Sequence, residues 1–259
     1  MKISIITVCY NSSSTIKDTF ESVLNQSYAD YEYIVVDGLS SDGTVDIIKE
    51  YQPRFQGKMR WISEKDSGLY DAMNKGIRMA TGDVVGILNS DDFFTSGNVL
   101  ESVNRGFDSP DTDAIYADVR YVKQDDLQRI VRHYSSKHFR RWKMRCGLIP
   151  AHPSFYARKE LFEKFGFYRT DYRIAADFEL LLRFIFVNRI NTLYIPETFV
   201  TMRMGGVSTN SFKVHFQIMK EHLKAFKQNN RYTNPFFLHL RYGGKIYDLI
   251  KARLSNIFR

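Results

Sequence analysis

Cysteine is scarce in this 259-residue chain: Cys9 and Cys146 are too few for a disulfide framework or a thiolate metal cluster. A reducing, cytoplasmic setting is therefore the simplest expectation. No run of about 18 apolar residues occurs, so no membrane-spanning helix is expected. No secretory leader is expected either, because the apolar stretch at residues 3–8 is short and has polar flanks. Glycine is missing from Tyr10-Asn11-Ser12-Ser13-Ser14, which follows that stretch. This removes the dinucleotide-binding fingerprint, and there is no Walker-type lysine loop. Internal repeats and low-complexity segments are absent as well.

What is present fits one large α/β domain or a domain with a small appendage. Hydrophobic residues make up 44% of the chain, enough for a sizeable core. The net charge of +8 is unevenly placed. Residues 211–259 hold 10 Lys and Arg against 2 acidic residues, whereas residues 1–210 hold 27 of each sign. The basic character belongs to the C-terminal tail, which disfavours a nucleic-acid-binding module with charge spread along a groove.

The first half alternates strand and helix patterns, as parallel sheets do. Strands are expected at 3–8, 33–36, 60–63 and 84–88, then at 114–118 and 120–123. Helices are expected at 14–26, 44–51, 67–80 and 98–107. In the second half, helices are expected at 159–165, 176–186 and 212–228, with strands at 192–195 (ending at Pro196) and 199–204.

The strand at 84–88 leads into Asn89-Ser90-Asp91-Asp92, two neighbouring carboxylates at a carboxyl-terminal strand end. Open α/β sheets bind ligands at that edge. A hard divalent cation relieves the repulsion of such a pair and takes further ligands from a diphosphate. Polar groups also close the preceding strands: Tyr10-Asn11, Asp37 and Asp66. Together they outline a nucleotide pocket in which Tyr10 stacks on a base and Asp37 or Asp66 accepts from a base or ribose. Each is also an ordinary loop or cap residue when taken singly.

These segments resemble the family-2 glycosyltransferases with the GT-A fold. The matching pieces are residues 4–11, 22–27, 34–44 (Ile34-Val35-Val36-Asp37-Gly38), 64–76 (Glu64-Lys65-Asp66-Ser67-Gly68), 80–83 and 88–92. The resemblance covers roughly residues 1–210, and the subtype looks like bacterial capsule, O-antigen and colanic-acid-like transferases. It implies an α/β GT-A fold, with a mostly parallel Rossmann-like sheet flanked by helices. It divides the chain into a nucleotide-sugar half (1–118), an acceptor half (119–210) and a basic helical tail (211–259).

The resemblance further implies that the backbone around Val8 and Tyr10, with Asn11, Asp37, Asp66 and Asn89, holds the nucleotide, most often uridine. Asp91 contacts ribose or diphosphate and shares the metal with Asp92, the Mn²⁺ or Mg²⁺ ligand. Two positions depart from the family pattern. Gly38 stands where a second Asp is common, and Asn89 stands where the acidic triplet begins with Asp, so metal binding leans on Asp92.

Asp177, opening the apolar stretch Ala176-Asp177-Phe178-Glu179-Leu180-Leu181, is similar to the family's general base, and alternatively caps its helix or pairs with Arg173. Glu179, on the acceptor side, is the rival for that role, but it falls two residues on and so points elsewhere on the helix. His152 matches a family histidine near the acceptor or diphosphate, and Arg203, with Gly205 and Gly206 after it, resembles a closing loop whose Arg meets the diphosphate. The implied activity is inverting, metal-dependent sugar transfer from a UDP-sugar to a saccharide acceptor carried on a lipid, in cell-surface polysaccharide synthesis. A metal-dependent nucleotidyltransferase is the alternative, and it lacks its triphosphate loop here. The interleaved Lys/Arg and aromatics of the tail suit an anionic membrane at the inner face of the cell membrane. The same tail also suits packing on the catalytic domain or on a second subunit of a homodimer.

Overall fold

The computed structural model describes residues 1–204 and 212–240. The glycine pair 205–206 of the expected closing loop, and the tail beyond residue 240, lie outside the described residues. The first half consists of β1 (Ile3–Cys9), α1 (Ile16–Leu24), β2 (Tyr31–Asp37), α2 (Thr44–Tyr51), β3 (Met59–Ser63), α3 (Leu69–Met79) and β4 (Val84–Ile87). Next come β5 (Phe93–Phe94), α4 (Val99–Gly106), β6 (Ala114–Val122), β7 (Ile130–Tyr134), β8 (Tyr156–Arg158), α5 (Glu160–Phe165) and α6 (Ala176–Leu181). A π-helical stretch, Leu182–Val187, precedes β9 (Thr192–Arg203), α7 (Phe212–Gln228) and α8 (Pro235–His239).

The nine strands form one sheet in the order β3-β2-β1-β4-β8-β6-β9-β5, with β7 on β6. β1 to β4 pair in parallel, as do β6 and β9, and these ladders hold most of the paired residues. β8 runs antiparallel to both β4 and β6, making the sheet mixed. This is a GT-A-like α/β fold. Every residue of β1 and β2 is buried, as strands covered on both faces require. Alternation sends Ile6, Val8, Ile34 and Val36 to one core with α3, α5 and α6, and Ile3, Ile5, Tyr33 and Val35 to a second core with α1, α2 and α4. At the β4–β8 seam a Cβ on Gly86 would sit 2.1 Å from the Tyr156 ring, so only glycine lets that ring lie across the strand.

Several boundaries differ from the sequence expectation for identifiable reasons. Helix α1 starts two residues late because Ser12 accepts from Thr15 and Ile16, making a turn of residues 12–15. The two expected strands at 114–123 are one strand, β6. The two at 192–204 are also one, because β9 passes through Pro196 in an irregularity: Tyr116 pairs Tyr194 and Asp118 pairs Thr198. The extra residues absorb the missing proline donor, as bulges do. The helix from Ala176 turns π-helical at Leu182. β5 and β8 are too short to show a pattern, and β7 is an almost wholly exposed edge without alternation.

Helix α7 packs against α6. Its Ala225 and Phe226 are buried in the first core. Lys224 pairs with Asp171 at 2.7 Å, and Gln228 accepts from the Tyr172 hydroxyl at 2.6 Å. No helix among the described residues is long and apolar enough to cross a membrane.

Candidate active site

Parallel pairing of β1, β2 and β3 sets the polar strand ends side by side. Tyr10, directly after β1, is 66% exposed. Asn11 adopts the left-handed region (φ 50°) and fastens the neighbouring loop: its amide donates to Ser40 Oγ at 2.8 Å, and its Oδ1 accepts from Ser41 N at 2.9 Å. Asp37 is fully buried. Its carboxylate accepts from Ser40 N (3.1 Å), Ser63 Oγ (2.6 Å) and the Ser40 hydroxyl, with Cys9 Sγ at 3.6 Å. Asp37 thus knits three strand ends together from below. Burial and the Asp37 charge push the Cys9 thiol pKa up, keeping it protonated. Val8 points into the core, with its backbone in register with Val36.

Asp66 lies at the surface of the same edge. Its Oδ1 accepts from Gly68 N at 2.8 Å, and its Oδ2 lies 2.6 Å from where a Cβ on Gly38 would sit. The Tyr10 ring is 3.5 Å from that point. Gly38 therefore makes room for Asp66 beside Tyr10, so the departure from the family pattern and the carboxylate of Asp66 share one space.

The turn after β4 is moored on several sides. Thr7 Oγ1 donates to Leu88 O (2.7 Å), Ser12 and Ser90 hydroxyls meet at 2.9 Å, and Thr19 Oγ1 reaches Ser90 O (3.1 Å) and Asp92 O (2.7 Å). Asp92 is only 1% exposed. Among the described residues its one side-chain hydrogen bond comes from Asn89 Nδ2 at 3.2 Å. Burial, then the charge of Asp91, pushes its pKa well above the usual carboxylate range; Asn89 and Arg203 pull it only partly back. Asn89 Oδ1 is buried without a partner among the described residues. Arg203 reaches this turn because β9 pairs with β5, Phe93 opposite Thr201. Its Nη1 donates to Asp91 O at 2.6 Å, its Nη2 pairs with Asp18, and its guanidinium lies 5.2 Å over the Phe93 ring.

Asp91, Asp92 and the orphaned Asn89 oxygen form an all-oxygen donor set, which fits a hard divalent cation. No group of three or more His, Cys, Asp or Glu side chains that could hold an ion occurs among the described residues. A cation here would therefore depend on substrate and water for its remaining ligands.

A cavity of about 340 Å³ runs from this turn into the second half, lined by Asn89, Tyr70, Tyr121, Tyr134, His152 and Asp177 among others. Asp177 stands in the first turn of α6, half-buried, its Oδ1 accepting from Phe178 N at 2.8 Å. Burial raises its pKa, opposed by His152. His152 Nε2 lies 2.7 Å from the Tyr168 hydroxyl, and burial lowers its pKa, which keeps the imidazole neutral. Tyr70 stacks on Tyr168 (5.9 Å) and donates to Ile174 O at 2.5 Å.

Glu179 does not belong to the acceptor side, contrary to the sequence expectation. Two residues on from Asp177 is roughly 200° around a helix. Glu179 is wholly buried there, bonded by Arg169 (3.2 Å), Arg183 (3.1 and 2.9 Å) and Asn229 (2.9 Å). Lys75 is half-buried, paired with Glu64 at 2.9 Å and donating to Lys65 O at 2.7 Å. Tyr70, Tyr168 and Glu221 escaped the sequence reading. For Glu221 the available signal was an acidic residue within a strongly basic helix.

A sheet edge carrying Tyr10, Asp66 and an Asp-Asp turn, with a cavity running from Asn89 of that turn to Asp177 on the second half, is consistent with a glycosyltransferase of the GT-A type. The model of glycosyl transferase family 2 matches residues 4–171, and the chain belongs to that family. A PGL/p-HBAD biosynthesis glycosyltransferase of Mycobacterium bovis is 27% identical over 237 residues, covering 88% of this chain and 85% of the relative. An uncharacterised glycosyltransferase of Mycobacterium tuberculosis is 33% identical over 184 residues, covering 70% and 68%. Among solved structures, S. aureus TarS 1-349 in complex with UDP-GlcNAc aligns with TM-score 0.70 at 18% identity, over 87% of this chain and 66% of that one. A mannosyltransferase of Pyrobaculum calidifontis in complex with GDP-Man and Mn²⁺ aligns with TM-score 0.63 at 17% identity, over 99% and 80%. The chain spans 39% of the longer TarS chain.

Proposed function

We propose that this protein is an inverting, metal-dependent transferase that moves a sugar, a hexose or N-acetylhexosamine, from a UDP-sugar to a hydroxyl of a lipid-linked saccharide. The observation that carries the reading is a cavity with Asn89 of the Asp-Asp turn on one wall and Asp177 on another. The nucleotide lies on the edge made by residues 1–118, its base on the Tyr10 ring and its polar edge toward Asp66. Asp37 acts from beneath by holding Ser40 and, through it, Asn11. Residues 119–210 shape the acceptor half.

Asp91, Asp92 and Asn89 Oδ1 would hold Mn²⁺ or Mg²⁺. When bound, the ion supplies Lewis-acid stabilisation to the leaving diphosphate. Asp177 takes the proton of the attacking hydroxyl. The new C–O bond forms at the anomeric carbon as the bond to the diphosphate oxygen breaks, and the electron pair leaves with UDP. Its raised pKa makes Asp177 a stronger base than a free carboxylate. Neutral His152, braced by Tyr168, orients the acceptor, and Arg203 meets the diphosphate.

Cell-surface polysaccharide synthesis at the inner face of the cell membrane is the setting this reading implies. Peripheral attachment is supported by the exposed Phe216, Tyr232 and Phe236 near exposed Lys220, Lys227 and Arg231. Each basic residue near an anionic surface adds about 1 kcal/mol. Thermal-shift screening of UDP, GDP, dTDP and CMP sugars with and without Mn²⁺ tests the donor, since stabilisation grows with ligand concentration over Kd. UDP-sugars with Mn²⁺ should give the largest shift. A larger shift with another nucleotide overturns the UDP reading.

A further inference from the structure

Ala175, the N-cap residue of α6, offers no side-chain cap to the helix that carries Asp177. The buried amides of the turn that leads into the helix also need an acceptor. They find one 46 to 48 residues later in the chain. Glu221 of α7, 4% exposed, accepts from Arg173 N (3.0 Å), Ile174 N (3.0 Å) and Ala175 N (2.8 Å). Gln217 Nε2 steadies the same carboxylate at 2.7 Å. On the opposite side of this turn, Tyr70 of α3 donates to Ile174 O. One residue along α7, the His222 ring stacks on Phe178 at 3.7 Å, against the residue following Asp177.

The segment from Arg173 to Phe178 is thus clamped between α3 and α7, and Asp177 sits inside the clamp. A carboxylate receiving three backbone amides is a strong, oriented acceptor. Burial alone would raise the Glu221 pKa, but Gln217 and the three amides outweigh it and hold it below the ordinary value. It therefore stays charged.

We propose that Glu221 is a positioning residue for the transfer reaction, fixing where the Asp177 carboxylate stands in the cavity and adding a permanent negative charge behind it. This rests on the reading of Asp177 as the base. The groups facing Asp177 are His152 from the 152–154 turn, Tyr168 from the segment before α6, Tyr70 from α3 and Glu221 from α7. Glu179 of α6 and Arg183 of the π-helical stretch after it are bonded to each other in a separate network. Of the facing groups, Glu221 carries a fixed negative charge that raises the Asp177 pKa.

The test uses the full chain with Glu221→Gln and Glu221→Asp. Glutamine keeps the shape but replaces one acceptor oxygen with a donor, and aspartate keeps the charge on a shorter arm. In Glu221→Gln, UDP affinity with Mn²⁺ should be unchanged, because the sheet-edge residues are untouched. UDP release from the UDP-sugar selected by the donor screen should fall on the order of 10²-fold, the usual penalty for a misplaced reacting group. The Asp177 carboxyl, followed by ¹³C NMR, should titrate at lower pH. Glu221→Asp should also lose turnover but keep the wild-type titration.

A folded Glu221→Gln protein with wild-type turnover and an unmoved Asp177 titration overturns the proposal. Loss of the fold in both variants does so too, since the role would then be structural only. Asp177→Asn, run alongside, separates the two readings. If it keeps full turnover the base reading fails first, whatever Glu221 does.

Discussion

Replacing Asp92 by Asn should stabilise the metal-free protein and abolish its response to Mn²⁺. Asp92 is 1% exposed, and among the described residues its carboxylate has one side-chain hydrogen bond, from a neutral amide at 3.2 Å. The Asp91 charge adjoins it, and Arg203 is mostly committed to Asp91 O and Asp18. Leaving a buried polar group without adequate partners costs about 1–3 kcal/mol. Asparagine fills the same volume, keeps an oxygen for the Asn89 amide and removes the charge, so a gain of about 1–2 kcal/mol is expected. For a chain of this size that is roughly 2–8 °C in Tm. With a cation at 100 times its Kd, the wild type should gain about 2.7 kcal/mol and the variant nothing. Differential scanning fluorimetry with EDTA, with Mn²⁺, and with Mn²⁺ plus UDP measures all of this. A variant less stable than wild type in EDTA, or one that still shifts with Mn²⁺, refutes the reasoning.

Two other perturbations test the frame that holds the site. Against the burial that alone would raise it, hydrogen bonds from Ser4, Thr81 and Arg60 bring the Glu32 pKa down to about 2. A depressed folded pKa means stability present above the unfolded value near 4.5 and lost as pH falls toward 2. Glu32→Gln should cost about 2–3 kcal/mol in urea denaturation at pH 7, with the difference shrinking below pH 4; an equal cost at pH 3 contradicts the assignment. Gly86→Ala, which places a methyl 2.1 Å from the Tyr156 ring, should cost about 1–3 kcal/mol or more by the same assay, and a neutral result would mean that the β4–β8 seam is looser than described.

The parallel half of the fold was legible in the sequence because β1, β2 and β4 are double-buried, β-branched runs, and because such strands place their ends along one edge. That rule located Tyr10, Asp66 and the Asp91–Asp92 turn before any contact was known. It could not tell that Asp37 would be sealed beneath Ser40 and Ser63, since exposure at a strand end depends on the neighbouring loops. The second half was less legible because its order is non-local. β8 enters between β4 and β6 from far along the chain, Pro196 is absorbed in an irregularity that only the β6 partner defines, and the acceptor for the turn leading into α6 arrives from α7. Helical spacing separated Asp177 from Glu179, but the arginines that claim Glu179 come from contacts that no local pattern encodes.

The account turns on Asp177 as the base at the far wall of the cavity, and the most direct measurement is turnover of Asp177→Asn set against its affinity for UDP and Mn²⁺. A drop of ~10²–10⁴-fold in kcat with unchanged nucleotide binding is the expected result. Wild-type turnover, or a parallel loss of nucleotide affinity, would contradict it.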